Sequence, residues 1–187
     1  MTGLSVGLAL LALVALWLLT AWRGLVAARD AADAASAAID VHLRERHALV
    51  PTLIAAVQAE TAGEAQTLAQ LEAAREGAVA ATTPWERGAT ERRLMTAIAA
   101  VTALAERHTG LGGAAGFVDL QARLATIEDE IQASRRIYNA DVRLYRTRRG
   151  RLPGALLHRL GEFDDRPYFE LDHTRERGVP ALTLARA

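Results

Sequence analysis

The chain opens on an unbroken apolar block and then settles into a helical alternation of apolar and polar positions. No side chain from Met1 to Trp22 is charged, and Leu4 to Trp22 (LSVGLALLALVALWLLTAW) is almost wholly apolar. At about 1.5 Å per residue a helix of that length spans roughly 28 Å, close to the ~30 Å hydrocarbon core of a bilayer. A single segment crosses lipid only as a helix, because only then are its backbone groups satisfied internally. The block predicts a transmembrane anchor over residues 1–23.

A secretory signal peptide is the competing reading. It would have a basic start, a shorter apolar stretch and a small-residue cleavage site. Here Met1, Thr2 and Gly3 carry no basic side chain, and the Ala-rich stretch after the block is the one feature that mimics a cleavage site. Trp17 and Trp22, with Arg23 following, suit an interfacial belt. Arg23 and Arg29 on the C-terminal side favour a cytoplasmic body with the N-terminus outside, at a cell (inner) membrane. The alternative places the body on the periplasmic or extracellular side.

Beyond the anchor the apolar residues recur at helical spacing. Residues 24 to about 80 read as one long helical stretch, with Ile39, Leu43, Val50, Leu53, Val57, Leu68 and Leu71 on one stripe. Pro51 removes a backbone bond within it, so a kink is expected near His47–Pro51. Thr83, Pro84 and Glu86 form a helix start: cap, proline in the first turn, and glutamate three after the cap. That helix is expected to reach about His108, with Leu94, Ile98, Val101 and Leu104 inward. After the loop Thr109–Gly116, a third long helix is expected from about Phe117 to Arg149. Its stripe is Phe117, Leu120, Leu124, Ile127, Ile131, Tyr138, Val142 and Tyr145. Gly150 stops it, Pro153 opens a short helix over 154–160, and Gly161 ends that. Residues 162–187, with Pro167, Gly178 and Pro180, read as an irregular tail. No strand pattern competes.

The expected fold is therefore all-α: a transmembrane helix, then an antiparallel up-and-down bundle of three long helices and a short fourth over residues 24–161. In that count the first helix leads away from the anchor, the second returns and the third leads away again. The C-terminal end of the third helix then falls far from the membrane. An extended coiled coil between chains is the alternative. Against it, the stripes are interrupted by polar residues and the loops are short.

Composition changes this picture little. There is no cysteine, so a disulfide framework and a thiolate metal site are excluded. Every basic side chain is arginine, and the net charge is zero, which argues against general nucleic-acid binding.

The candidate chemistry is thin. Glu64 lies seven after Val57 and four before Leu68, on the first stripe; Glu128, Arg135 and Asn139 border the third. One arrangement is a buried polar cluster with Arg135 paired to Glu64 or Glu128; the other leaves these residues at the stripe's edge in solvent. A di-iron carboxylate bundle needs Glu-x-x-His on each of two helices, and the sequence has that spacing once, at Glu170-Leu-Asp-His173 in the irregular tail. His42 and His47 share a helix face poorly, and they read with His108, His158 and His173 as surface histidines. No nucleophile elbow, phosphate loop or dinucleotide fingerprint occurs. Gly110–Gly113 lies between helices and reads as a linker. No catalytic residue, metal or cofactor is expected. Arg143, Arg146, Arg148, Arg149 and Arg151 form the densest charge cluster, able to meet phosphate, lipid head groups or an acidic partner, or simply to cap a helix C-terminus.

Two motifs carry a family resemblance. Arg46-His-Ala-Leu49-Val50-Pro51-Thr-Leu53 resembles the R-x-x-L-[IV]-P-x-L element of the LemA family, with Glu64 and Ala74-Arg75 following at family-like spacing. Glu128-Asp-Glu-Ile131-Gln-Ala-Ser-Arg135-Arg136-Ile-Tyr138-Asn139 is similar to its E-N-x-I-x-x-x-R-x-x-Y-N element. Pro153, Phe163 and Pro167-Tyr168-Phe169-Glu170 match its ending, so the resemblance covers about residues 35–171 and the anchor. The chain departs from the family at His108-Thr109, at Tyr145-Arg146 and at Asp129. The resemblance implies one N-terminal span followed by an up-and-down four-helix bundle. It implies no settled activity, and some relatives are tied to the biogenesis of bacterial organelle membranes. It adds Arg46, Pro51 and Tyr138 to Glu64, Glu128, Arg135 and Asn139 as motif residues. The expectation is a non-enzymatic interaction or scaffold module that binds a protein partner or itself. The rival is a bundle that holds lipid or another hydrophobic ligand and acts in membrane organisation or biogenesis.

Overall fold

The computed structural model describes residues 2–60, 64–108, 110–158, 161 and 163–169. The described residues are helical throughout apart from loops, with no strand among them. The helices are α1 (Thr2–Glu60), α2 (Ala65–Ala80), α3 (Pro84–Arg107), α4 (Ala115–Gly150) and the short α5 (Gly154–Leu157). The expected end of the short helix at 159–160 and the tail beyond Phe169 lie outside the described residues.

One boundary differs from the sequence expectation. The stretch 24–80 is not a single helix: α1 ends at Glu60, and Glu64 stands at the cap position before α2 with φ −106° and ψ 25°. The stripe arithmetic had bridged this break, because Val57 and Leu68 remain an integral number of turns apart. Both are buried. α1, by contrast, passes through Pro51 as helix, with the proline exposed to solvent.

The chain divides into two compact units, Met1–Leu49 with Val118–Tyr168, and Val50–Phe117 with Phe169–Ala187. In the first, α1 begins to bury side chains at Leu25 and continues through Ala28, Ala32, Ala35, Ile39 and Leu43. These steps of three and four make a seam of the coiled-coil kind. The facing seam of α4 carries Leu120, Leu124, Ile131, Tyr138, Val142 and Tyr145. Small meets large: Ala28 shares a core cluster with Tyr145, Leu25 and Phe163. Arg148 Nη1 reaches the Gly24 carbonyl at 2.6 Å, and Arg46 Nη1 reaches Glu128 Oε2 at 2.9 Å, so α1 and α4 run antiparallel.

In the second unit, α2 and α3 pack as a hairpin over a three-residue connection. Leu68, Leu71 and Ala78 of α2 and Leu94, Val101, Leu104 and Ala105 of α3 are buried, as are Val50, Leu53 and Val57 of α1. The expected start of α3 is present in full: Thr83 Oγ1 accepts from the Glu86 N–H, and the Glu86 carboxylate accepts from the Thr83 N–H. Of the inward residues expected on α3 and α4, Ile98 and Ile127 are half-buried and the rest are buried.

Three substitutions test this account by thermal or urea unfolding. Thr83→Ala removes an N-cap and lowers stability by about 1 kcal/mol. Gly77→Ala adds a methyl no closer than 4.0 Å to the Thr90 methyl and raises stability by up to ~1 kcal/mol. Gly154→Ala drives a Cβ onto the Arg148 carbonyl and lowers stability by about 1–3 kcal/mol. The cap also carries a pH signature. Its backbone hydrogen bond from Thr83 holds the Glu86 carboxyl below the usual 4.5. The folded form therefore takes up that proton less readily than the unfolded chain. The deficit of Glu86→Ala against wild type is complete above pH 4.5 and shrinks as pH falls through the lower folded-state value.

Candidate functional site

Of the motif residues, Arg46, Glu128, Arg135, Tyr138 and Asn139 fall on α1 and α4 of the first unit, where a chain of polar side chains joins the two helices. Arg46, only 2% exposed, donates from Nη1 to Glu128 Oε2. Gln132, one turn on, donates from Nε2 to the other Glu128 oxygen at 2.6 Å. Arg135 then donates from Nη1 to Gln132 Oε1 at 2.9 Å. The first unit thus links Glu128 to Arg135 through Gln132, a residue the sequence reading did not single out. Glu128 takes its charge partner from α1, in Arg46. Asn139 is half-buried on α4. Glu64 belongs to the second unit, where it accepts a long hydrogen bond (3.4 Å) from the Thr67 hydroxyl. Pro51 lines a groove there with Ile54, Leu68, Glu72 and Arg75, about 850 Å³ in volume. The Arg75 guanidinium is hydrogen-bonded to Glu72 and holds that carboxyl below its usual range. Glu91, buried at 1% exposure on α3, also escaped the sequence reading. Its only sequence signal is its place three residues before Leu94 on the inner face.

The segment after α5 has a larger part than an irregular tail. Residues 163–168 lie along α1 and α4 as a strap. Phe163 meets Trp22 edge-on at 5.0 Å between ring centroids, with the Arg29 guanidinium over its ring at 5.6 Å. Tyr145 donates its hydroxyl to the Asp164 carbonyl at 2.8 Å, and Tyr138 donates to the Pro167 carbonyl at 2.8 Å. Arg166 forms a two-pronged pair with Asp33 of α1 at 3.0 Å, which raises its own pKa further. Burial pushes both tyrosine hydroxyls above the ordinary phenol range, so they remain donors at any physiological pH.

The arginine cluster lies elsewhere than expected. The antiparallel return of α4 brings Arg148 to Gly24, immediately after the apolar block, and not to the far end of the fold. The reason is the helix boundary between Glu60 and Ala65. It adds one helix between α1 and α4 and reverses the direction in which α4 runs. Within the cluster the charges divide. Arg146 pairs with Asp165 at 2.8 Å and covers the Tyr168 ring, and Arg149 approaches the same carboxylate at 3.7 Å. Arg143, Arg148 and Arg151 are exposed. Arg148 and Arg151 line a groove of about 490 Å³ with Trp17, Gly24, Leu152 and Gly154.

His42 is the other convergence of titratable groups. Its Nδ1 lies 3.4 Å from Glu45 and 3.3 Å from Glu130, and the three ligand-type atoms sit within 4.8 Å of one another. The sequence carries His-x-x-Glu here, the reverse of the di-iron order, so the two side chains share one face of α1. His47, His108 and His158 are half-buried, and His173 lies outside the described residues.

Of the apolar block, Leu4 to Leu19 leaves its large side chains 48–76% exposed, apart from the half-buried Leu18. Among the described residues one helix, over Gly3–Ala59, is long and apolar enough to cross a membrane, and its most apolar window is not buried in the fold.

Removing the Glu128 carboxylate takes a charge partner from a buried guanidinium. Glu128→Leu is expected to cost about 2–3 kcal/mol, and Arg46→Leu with Glu128→Leu to cost less than the single change. Urea unfolding of both single variants and the double variant measures the coupling; additive losses would contradict it. Tyr145→Phe, which loses one hydroxyl donor, should cost about 1 kcal/mol in the same assay.

No curated protein matches the chain. The LemA family model matches residues 35–183, a span that holds the Arg46–Pro51 motif, the Glu128–Asn139 motif and the strap, and on that match the chain belongs to the LemA family.

Proposed function

We propose that this chain is a single-span protein of a bacterial inner membrane whose folded units serve as a non-enzymatic interaction and scaffold module. The observation that carries the reading is the continuity of α1. One helix leads without a break from the exposed apolar residues 4–19 into the buried seam that starts at Leu25. An anchor and a folded unit that share a helix hold their orientation to each other, which suits a tethered platform. The conspicuous polar side chains are already spent on helix contacts: Arg46 with Glu128, Arg166 with Asp33, and both tyrosines with strap carbonyls. What is left for function is surface, offered to a protein partner or to a second copy. The retained arginines after the span favour the N-out orientation with the body in the cytoplasm.

Full-length protein is expected to stay with membranes under alkaline extraction. Leu10→Arg with Leu13→Arg, at ~2.5–3.5 kcal/mol per charge at the centre of a span, should release it. Retention of that double variant would defeat the anchor. The absence of cysteine makes topology direct to measure. Ala140→Cys, exposed on α4, should react with an impermeant maleimide in inverted vesicles and not in intact cells. The reverse pattern places the body outside. Cross-linking in native membranes followed by mass spectrometry then distinguishes a recurrent protein partner from the rival, a module that co-purifies with lipid.

A further inference from the structure

We propose that the groove at the foot of α1 is a binding site for the phosphate of an anionic phospholipid, formed by Arg148 and Arg151 beside Trp17. The inference rests on the anchor reading and goes beyond it, since an anchor alone requires no lipid selectivity. Three observations bear on it.

The first is position. Arg148 is hydrogen-bonded to the carbonyl of Gly24, two residues past the end of the apolar block, while Trp17, 52% exposed, lines the same groove. From Trp17 to Gly24 is seven residues, or about 10 Å along the helix. The polar layer on each face of a bilayer is about 5–8 Å thick. The groove therefore straddles the level at which lipid phosphates lie when Leu4–Trp22 fills the hydrocarbon.

The second is charge. Of the five arginines at this end of α4, Arg146 and Arg149 are paired with Asp165. Among the described residues neither Arg148 nor Arg151 is paired with a carboxylate, and the acceptor of Arg148 Nη1 is the neutral Gly24 carbonyl. Two guanidiniums on one groove fit a phosphodiester, which accepts such forks in two-pronged fashion.

The third is the apolar rim. Leu152 and Leu156 follow Arg151 closely in sequence and are 70% and 59% exposed. Large apolar side chains next to cations have little reason to face water and suit the boundary between head groups and acyl chains. Arg148 packs directly on α1 at this point: a Cβ on Gly24 would lie in van der Waals contact with its Nη1, at 3.8 Å.

The test uses the full chain reconstituted into vesicles of phosphatidylcholine, alone or with a third phosphatidylglycerol. Flotation reports insertion, and spin-labelled lipids report the head-group preference of the lipid layer against the protein. Wild type should float with both vesicles and select spin-labelled phosphatidylglycerol over phosphatidylcholine. Each arginine should contribute up to about five-fold, the factor equivalent to ~1 kcal/mol per surface arginine, and the selectivity should fall with added salt. R148Q with R151Q should float equally well and lose the selectivity. R151Q alone, which disturbs no contact with α1, should lose part of it. R44Q with R123Q removes the same charge from exposed positions, Arg44 lying about 30 Å up α1 from Gly24, and should retain it. Insertion with no preference, or a preference that survives R148Q with R151Q, overturns the lipid site while leaving the anchor standing. Failure to float overturns both.

Discussion

The antiparallel contact between α1 and α4 is pinned near both ends, and the placement of every motif residue of the first unit follows from it. Gly24 to Arg46 on α1 is a step of 22 residues, and Glu128 to Arg148 on α4 is a step of 20. At about 1.5 Å per residue these are roughly 33 and 30 Å, so the two helices keep one register along the whole length between the pins. Alanine makes that possible. Ala28, Ala32 and Ala35 leave room on α1 where α4 presents Tyr138, Val142 and Tyr145. A larger residue at 28 would meet the Tyr145 ring and displace the hydroxyl that reaches Asp164.

The strap depends on the same register and in turn reinforces it. Its carbonyls are satisfied by tyrosines of α4, its Arg166 by an aspartate of α1, and its Phe163 by Trp22 and Arg29 of α1. Each of these contacts is modest alone, on the order of 1 kcal/mol for a neutral hydrogen bond and less for an exposed ion pair. They act together because one short peptide touches both helices at once, so loosening either helix costs the strap its partners on both. Phe163 sits at the level of Trp22, where the apolar block gives way to the seam. The strap therefore braces the part of α1 that leads toward the exposed apolar run.

Much of this was legible in the sequence, and the failures have definite causes. The stripes were correct where large aliphatics mark them: Ile39, Leu43, Leu53, Leu94, Val101 and Ile131 are all buried. Thr83-Pro84-Trp85-Glu86 announced its helix because a capping box is local chemistry, settled within four residues. The break between Glu60 and Ala65 was hidden because apolar spacing alone does not report a chain reversal when both helices keep the stripe in phase. That single boundary decides the direction of α4 and therefore the location of the arginines. The alanine seam gives little signal in sequence, since alanine has no strong hydrophobic weight even where its three-four spacing is present. The strap was unreadable for another reason: its contacts are backbone carbonyls and pairs 19 to 141 residues apart in sequence.

The polar chain across α1 and α4 shows how a buried charge is tolerated in a seam of this kind. Arg46 is buried where its neighbours are apolar, and desolvating a guanidinium is costly unless a charge partner and further hydrogen bonds compensate. Glu128 supplies the charge, and Gln132 both donates to Glu128 and accepts from Arg135, so the neutral amide joins two ionic groups without adding charge. Such a chain has directional demands that leucines lack. Sliding α4 by one turn would leave Arg46 facing Gln132, which offers an amide oxygen in place of a carboxylate. The apolar seam would tolerate that slip better than the polar chain does. The motif residues thus fix register at the upper end of the contact, as Tyr145 and Phe163 fix it at the lower end. The positions of Arg148 and Arg151 at the foot of α1 follow from the two together.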